Sequence, residues 1–139
     1  MNTYNIFGED ATFHHVGLVV HSLTKTDVTC SVTVDPLQQV GVAFVSLHGL
    51  SVELIEPVTD NSPVRQSLLK GCRLLHLCYE VNDVEVAIKN SMQHGFCCIA
   101  RPKPAVAFEN RLIAWVFSPV WGLYEFVQRQ RGVDHDRTT

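Results

Sequence analysis

The sequence lacks any apolar run long enough to cross a bilayer, any cluster of basic residues and any Cys-x-x-Cys pair. A membrane-spanning helix needs about 20 mostly apolar residues, and nucleic-acid-binding domains carry a basic patch, so we expect no membrane and no nucleic acid among the partners. The first eleven residues include acids and Asn where a leader would be basic and then apolar, so no signal peptide is expected. Five cysteines, mostly within apolar segments, are typical of a reduced protein, and we predict a cytoplasmic location.

What the chain does contain is the composition of a globular domain. Its 139 residues are 46% hydrophobic and 18% charged, with a formal net charge of −3. This length is close to the commonest domain size and is sufficient to bury a hydrophobic core. We therefore predict a single domain over residues 1–139, with loose ends at 1–11 and 130–139.

The first half of the chain reads as strands without a helix. Apolar, β-branched runs separated by turn residues predict strands at residues 13–20, 28–34, 41–47 and 50–56. The polar connection at residues 22–27 is too short for a substantial helix. The first module is therefore assigned to residues 12–57.

The second half carries helices as well as strands. A linker at residues 58–72 contains a short helix, with Ser62 as its N-cap and Gly71 as its terminator. A second helix begins at Asn82 or Asp83, buries Val84, Ala87, Ile88 and Met92, and ends at Gly95. Strands are predicted at residues 73–81, 96–100, 110–117 and 123–129, with an extended Pro-containing connection after residue 100, so the second module spans residues 73–129.

An internal repeat relates the two modules. Each opens on a strand with one inward-facing His, His15 or His76, and each ends on a Gly-Leu turn that leads to a glutamate, Glu53 or Glu125. The His-to-Glu separations are 38 residues (53 − 15) and 49 residues (125 − 76). The difference of 11 residues is about three turns of helix, as expected if the first module has lost most of its helix.

The repeat favours a metal site over two unrelated buried histidines. Side chains alternate along a strand, so Cys78 and Glu80 share the face of His76, and His14 is predicted to point away from His15. Two imidazoles and two carboxylates suit a divalent ion with positions left open for water or substrate. The set does not distinguish Zn, Ni, Co, Mn or Fe(II). The simpler alternative is that each His is a hydrogen-bonded core residue.

The longer motifs resemble those of the vicinal oxygen chelate superfamily, which includes glyoxalase I, bleomycin-resistance proteins and methylmalonyl-CoA epimerases. The resemblance covers about residues 13–128 and is strongest to the epimerase branch. It is carried by His15-Val-Gly-Leu-Val-Val20, Val52-Glu-Leu-Ile-Glu-Pro57, His76-Leu-Cys-Tyr-Glu-Val-Asn-Asp83, Arg111-Leu-Ile-Ala-Trp-Val-Phe117 and Leu123-Tyr-Glu-Phe126. It implies an α+β fold of paired βαβββ modules that form a cup-shaped mixed sheet, here with the first helix shortened or missing. It also implies His15, Glu53, His76 and Glu125 as metal ligands.

By the same resemblance, the protein is expected to be a metal-dependent enzyme, an isomerase or epimerase or a lyase, that removes a proton next to a carbonyl. Glu125 and Glu53 are the candidate catalytic residues, and the substrate would be a small carbonyl compound or acyl thioester. Arg111, Asn110, Gln39 and Cys78 are candidate substrate contacts, and a homodimer is expected.

One departure from the epimerase pattern keeps other functions open. The epimerase branch often has a second carboxylate on the strand at residues 41–47, where this chain has no acid. A glyoxalase-like lyase or isomerase is therefore retained beside the epimerase. Outside catalysis, a small-molecule-binding protein of the bleomycin-resistance type is the main alternative, and an enzyme relic whose cup binds a partner is a further one.

Overall fold

The fold is one mixed sheet of eight strands with two short helices, as seen in a computed structural model that describes residues 1–28 and 31–130. The strands run in the spatial order β2-β3-β4-β1-β5-β8-β7-β6. Their bounds are β1 Thr12–Val19, β2 Thr33–Asp35, β3 Val40–Leu47, β4 Leu50–Pro57, β5 Leu74–Val81, β6 Cys97–Ala105, β7 Arg111–Ser118 and β8 Gly122–Gln128. The helices are α1 Val64–Leu69 and α2 Val84–Met92, and 3-10 turns occur at Thr24–Thr26 and Val106–Phe108.

The two halves of the sheet have equivalent strand orders. β1 pairs in parallel with β4, and β5 pairs in parallel with β8. β1 and β5 then pair antiparallel with each other at the centre of the sheet. The sheet curls into a half-barrel, which confirms the predicted α+β cup of two related modules.

The outer face of the second half is covered by α2. The side chain of Asp83 caps this helix by accepting hydrogen bonds from the backbone N–H groups of Glu85, at 2.9 Å, and Val86, at 3.3 Å. Val84, Ala87 and Ile88 are buried against the sheet as predicted. The prediction for Met92 is wrong: it lies at the last helical position and is 57% exposed.

The outer face of the first half has no comparable helix among the described residues. The 3-10 turn Thr24–Thr26 occupies the position of the lost helix, and Leu23 before it packs on Ala43, Val52 and Leu54. The backbone N–H of Leu23 donates to Oε1 of Glu56 at 2.9 Å, which ties the turn to β4. The predicted shortening of the first helix is confirmed for this part of the chain.

Several element boundaries differ from the predictions. Of the strand expected at 28–34 only Thr33–Asp35 forms, and residues 29 and 30 lie outside the described part. The expected strand at 96–100 and the Pro-containing connection form one strand, because β6 is an edge strand and edge strands tolerate proline. Pro63, not Ser62, holds the N-cap position of α1, and no side chain caps this helix.

The sequence predicts a loose N-terminal arm at residues 1–11, but part of this arm packs against the sheet. Phe7 is 6% exposed and its ring contacts the rings of Tyr79, Phe96, Tyr124 and Phe126 at centroid distances of 5.0–5.5 Å. The arm therefore completes the core beside α2. At the other end, residues 131–139 of the expected loose tail lie outside the described part. In the described residues no helix has the length and apolarity to cross a bilayer.

Candidate metal centre

The four predicted ligands meet where the two halves of the sheet join. Glu53 on β4 lies beside Gly17 on β1, and Gly17 lies beside His76 on β5. In the adjacent row, His15 on β1 lies beside Cys78 on β5, and Cys78 lies beside Glu125 on β8. Each row therefore runs glutamate, small residue, histidine, and the pairing of four strands aligns the two rows.

The donor atoms of this set converge on one point. Nε2 of His15 lies 3.4 Å from Oε1 of Glu53 and 3.4 Å from Oε1 of Glu125. Nε2 of His76 lies 3.7 and 3.2 Å from the same two oxygens, and the two Nε2 atoms are 3.3 Å apart. All four side chains are buried.

This arrangement fits a divalent cation. Nitrogen and oxygen ligands lie about 2.0–2.2 Å from Zn²⁺, which puts neighbouring donors about 3 to 3.5 Å apart, close to the distances found here. Oε1 of Glu125 is buried and has no hydrogen-bond partner among the described residues, although it faces both imidazoles. Two facing Nε2 atoms and a buried carboxylate oxygen without a hydrogen bond are groups that a shared cation would satisfy.

In the metal-free protein, burial and the neighbouring charges shift the pKa values of His15, Glu53 and Glu125. Burial alone would lower the pKa of His15, but contacts with Glu125 and Glu53 outweigh it and raise the pKa to about 9. Burial would raise the pKa of Glu125, yet contacts with His15 and His76 lower it to about 2. Burial raises the pKa of Glu53, and the charge of Glu125 adds to this. A cation bound here must therefore displace the proton of His15.

Gly17 makes room for the side chain of His76, one of the four predicted ligands. A Cβ atom at this position would overlap the imidazole ring of His76 on the neighbouring strand. The glycine of the His15-Val-Gly motif is thus explained by the close approach of a side chain, and its φ angle is not in the left-handed region.

The centre opens into a cavity of about 480 Å³ inside the cup. His76, Glu53 and Glu125 lie in its wall. The rest of the wall is mostly apolar, with contributions from both halves of the sheet that include Val42, Ile55, Leu75, Phe108, Trp115 and Leu123. A mostly apolar cavity with a few convergent polar groups is typical of a small-molecule site.

None of the four predicted substrate contacts lines this cavity. Arg111 instead pairs with Glu80, with Nη1 2.7 Å from Oε2. Oε1 of Gln39 accepts a hydrogen bond from Thr59, and Asn110 is exposed in a turn with φ +64°. Cys78 is fully buried, and burial, with the charges of Glu125 and Glu53, raises the pKa of its thiol.

Sequence reasoning placed His14 on the wrong face. The register of β1 against β5 shifts between Phe13 and His15, so that His14 is an extra residue opposite Cys78. Such a β-bulge breaks the alternation of side chains. Nδ1 of His14 therefore lies 2.8 Å from Nδ1 of His15. The His-His pair in the sequence is the only signal of this contact, and it does not show the bulge.

Sequence reasoning also missed Lys103, which lines the cavity. The register of β6 against β7 pairs Ala100 with Trp115 and Lys103 with Ile113, so that β6 carries one extra residue. Without this bulge, Lys103 and Ala100 would lie on opposite faces of the sheet. The bulge instead brings Lys103 to the face of Trp115, inside the cup.

Comparison with known proteins relates this arrangement to one family. The sequence profile of the glyoxalase/bleomycin resistance protein/dioxygenase superfamily matches residues 14–115. The mitochondrial methylmalonyl-CoA epimerase of Dictyostelium discoideum is 25% identical over 114 residues, which are 81% of this chain and 57% of that protein. This chain therefore spans little more than half the length of that relative.

Solved structures show the same fold. Methylmalonyl-CoA epimerase from Mycobacterium tuberculosis has a TM-score of 0.72 at 17% identity, covering 88% of this chain and 91% of that one. A variant of the Streptomyces coelicolor methylmalonyl-CoA epimerase, solved with 2-nitronate-propionyl-CoA, has a TM-score of 0.69 at 19% identity, covering 84% and 95%.

Proposed function

Since this chain belongs to the glyoxalase/bleomycin resistance protein/dioxygenase superfamily, we propose that it is a metal-dependent enzyme that removes a proton next to a carbonyl group. His15, Glu53, His76 and Glu125 would hold the metal. The observation that carries this proposal is the convergence of their four donor atoms in a buried centre that opens into a cavity.

The chemistry follows from the donor set and its surroundings. A divalent ion held here supplies a Lewis acid that polarises the carbonyl oxygen of a bound substrate. The carboxylate of Glu125 lies in the cavity wall and accepts the proton from the adjacent carbon, and Glu53 is the second candidate carrier. The apolar wall excludes water and so strengthens the electrostatic stabilisation of the developing negative charge.

The substrate class proposed is an acyl thioester or related carbonyl compound that carries a carboxylate. Similarity to methylmalonyl-CoA epimerases supports the thioester. Lys103 supports the carboxylate, because this ammonium group has no carboxylate within ion-pair distance among the described residues. The charges of a divalent ion and two glutamates would cancel, and Lys103 is the one Lys or Arg side chain in the described cavity wall, where it would pair with one anionic group.

Asp35, the other acidic residue of the cavity wall, forms no ion pair with Lys103 in the described part of the chain. Oδ1 of Asp35 accepts hydrogen bonds from the backbone N–H groups of Leu37, at 2.9 Å, and Gln38, at 3.2 Å. Its Oδ2 accepts from the side-chain amide of Gln38 at 3.0 Å. This carboxylate therefore stabilises the turn after β2.

The first test is metal binding by the purified protein. Wild type is expected to take up one equivalent of zinc, cobalt or manganese. Loss of an outer-shell partner typically lowers metal affinity about 10–100-fold, and His76→Ala and Glu125→Ala, which remove proposed ligands, should lower it further. The exposed His94 near the end of α2 provides a matched control, and His94→Ala should bind as wild type does. If no stoichiometric metal binds even after reconstitution, the enzyme proposal fails.

The second test is proton exchange by the metal-loaded protein. Methylmalonyl-CoA and its carboxyl methyl ester are incubated in deuterated water, and deuterium at the carbon next to the thioester is measured by mass spectrometry. Exchange is expected for the free carboxylate, lost in Glu125→Gln and reduced toward the ester's level in Lys103→Met. Equal exchange of acid and ester would remove the proposed role of Lys103.

A non-catalytic binding protein of the bleomycin-resistance type remains the second candidate. Val40 and Val42, the cavity-lining residues of β3, are apolar, and this strand has no second carboxylate for a two-base epimerisation. Tight thioester binding without exchange would favour this candidate.

A homodimer in the cytoplasm remains a prediction, and size-exclusion chromatography with light scattering measures the oligomeric state.

A further inference from the structure

The two ring nitrogens of His15 lie in different surroundings. Nε2 faces Glu53, Glu125 and His76 at 3.3–3.4 Å. Nδ1 faces the opposite way, toward His14, whose Nδ1 is 2.8 Å distant. Because the side chain of His15 is fully buried, its Nδ1 needs a protein partner, and His14 is the residue within hydrogen-bond distance.

The β-bulge in β1 creates this contact. In a regular strand, His14 and His15 would point to opposite faces of the sheet. The extra residue opposite Cys78 puts both imidazoles on the inner face instead. Phe108 packs against both rings, at centroid distances of 5.7 Å from His14 and 5.8 Å from His15. Bulges next to active sites commonly aim a side chain in this way.

We propose that His14 is a positioning residue for the metal centre, which rests on the proposed metal-dependent function. Nδ1–H of His15 donates a hydrogen bond to Nδ1 of His14. This bond fixes the tautomer of His15 with the proton on Nδ1, so that Nε2 is the nitrogen left to bind a metal. The lone pair of Nε2 then faces the other three donors.

An outer-shell partner of this kind is common among metal-bound histidines, which almost always donate their second N–H to a carboxylate, a backbone carbonyl or water. Here a neighbouring imidazole takes that role. The equivalent nitrogen of the other histidine differs: Nδ1 of His76 is buried and has no hydrogen-bond partner in the part of the chain that the structure describes. The two histidines are therefore held by different means, His15 by His14 and His76 by its packing over Gly17.

The competing explanation for the contact between His14 and His15 is a second metal ion bound at Nδ1 of His15. His14, His15 and Cys78 bring three possible ligand atoms within 4.8 Å of one another. Such an ion would require His15 to lose both ring protons and Cys78 to become a thiolate. The buried position of Cys78 disfavours the thiolate, so the hydrogen bond is favoured.

Two substitutions at one position separate the hydrogen bond from the bulk of the ring. In His14→Asn, the side-chain oxygen can stand where Nδ1 stands and still accept the proton, whereas His14→Leu fills the space without an acceptor. Zinc affinity is measured by competition with a chromogenic chelator, with His94→Leu as the surface control. His14→Leu should weaken zinc binding about 10–100-fold, and His14→Asn should retain most of the affinity.

Proton–nitrogen correlation spectra of the histidine rings provide a readout that folding alone would not change. A slowly exchanging Nδ1–H of His15 is expected in zinc-loaded wild type and His14→Asn, and its loss is expected in His14→Leu. Unchanged affinity in His14→Leu, equal losses in both variants, or two bound zinc ions in wild type would overturn the inference. If wild type binds no zinc, the proposed function fails as well, and the two failures are thereby distinguished.

Discussion

The two halves of the sheet bring the same donors to the centre but are covered in different ways. In the second half, α2 and Phe7 bury the outer face around Ile88 and Phe126. In the first half, a single 3-10 turn and Leu23 cover a smaller cluster on β3 and β4. His15 and Glu53 nevertheless meet His76 and Glu125 with all four side chains buried. The position of the site therefore depends on strand pairing and not on the helix behind it.

The two halves also differ in the small residue that lies beside each predicted histidine ligand. Two positions after each histidine, the first half has Gly17 and the second has Cys78, and each lies beside the histidine of the other half. Gly17 leaves space for the ring of His76, whereas Cys78 is accommodated beside His15, where β1 bulges. The two halves therefore share the spacing of these residues in sequence but accommodate the neighbouring histidine differently, through a glycine in one case and beside a bulge in the other.

The largest expected effect is on stability, and it contrasts the two covers. Ile88→Ala should reduce the free energy of unfolding by about 2–5 kcal/mol, because it leaves a cavity in a closely packed core. Leu23→Ala should cost no more than about 2 kcal/mol, since its segment is an irregular turn that can relax into the space. Urea denaturation followed by circular dichroism measures both.

The control for this pair is Val86→Ala on the exposed side of α2, where Val86 is 50% exposed. Its effect should stay within about 0.5 kcal/mol. An equal cost for Leu23→Ala and Ile88→Ala would show that the first half is as tightly covered as the second.

Next in size is the effect of closing the space beside His76. In Gly17→Ala the new Cβ overlaps the imidazole, so the ring must move away from the other donors. Zinc affinity should fall about 10–100-fold, the range for a misoriented ligand. Gly41→Ala is the matched control, because its Cβ would lie 3.2 Å from the flexible carboxylate end of Glu56. Equal zinc affinities of the two variants would contradict the proposed role of Gly17.

The smallest effect is the pH dependence of metal binding. The raised pKa of His15, about 9 in the metal-free protein, means that this imidazole is protonated at neutral pH. A metal must displace that proton, so affinity should rise with pH, about tenfold per pH unit below that pKa. Glu125, with its pKa lowered to about 2, is already ionised and adds no slope, whereas Glu53, whose pKa is raised by burial, adds to the slope wherever it is protonated.

This prediction is checked by zinc competition titrations at several pH values between about 6.5 and 8.5, where one displaced proton gives the expected slope. A flat profile would show that the metal-free centre holds no proton on His15. The two halves of the sheet would then not differ in which of them carries a proton at the centre.

The sequence was sufficient to predict which side chains meet at the centre, because repeat and alternation are local patterns. Two His-containing strands, each followed in its module by a Gly-Leu turn and a strand that carries a glutamate, predicted the residues that the structure brings together, namely His15, Glu53, His76 and Glu125. The 11-residue difference in spacing predicted the lost helix, and α2 with its nine residues accounts for most of it. The substrate contacts were less predictable: Arg111 is an ion-pair partner of Glu80 across the sheet.

From the sequence alone, residue type and periodicity predict the strands, α2 and the internal repeat, and the resemblance to the vicinal oxygen chelate superfamily implies the fold class and the four candidate ligands. Only the tertiary structure decided that His14 joins His15 and that Lys103 enters the cavity, because each depends on a β-bulge. A bulge is defined by the register of a strand against its neighbour. For His14 that neighbour is β5, more than sixty residues away in the chain, and local sequence carries no record of that register.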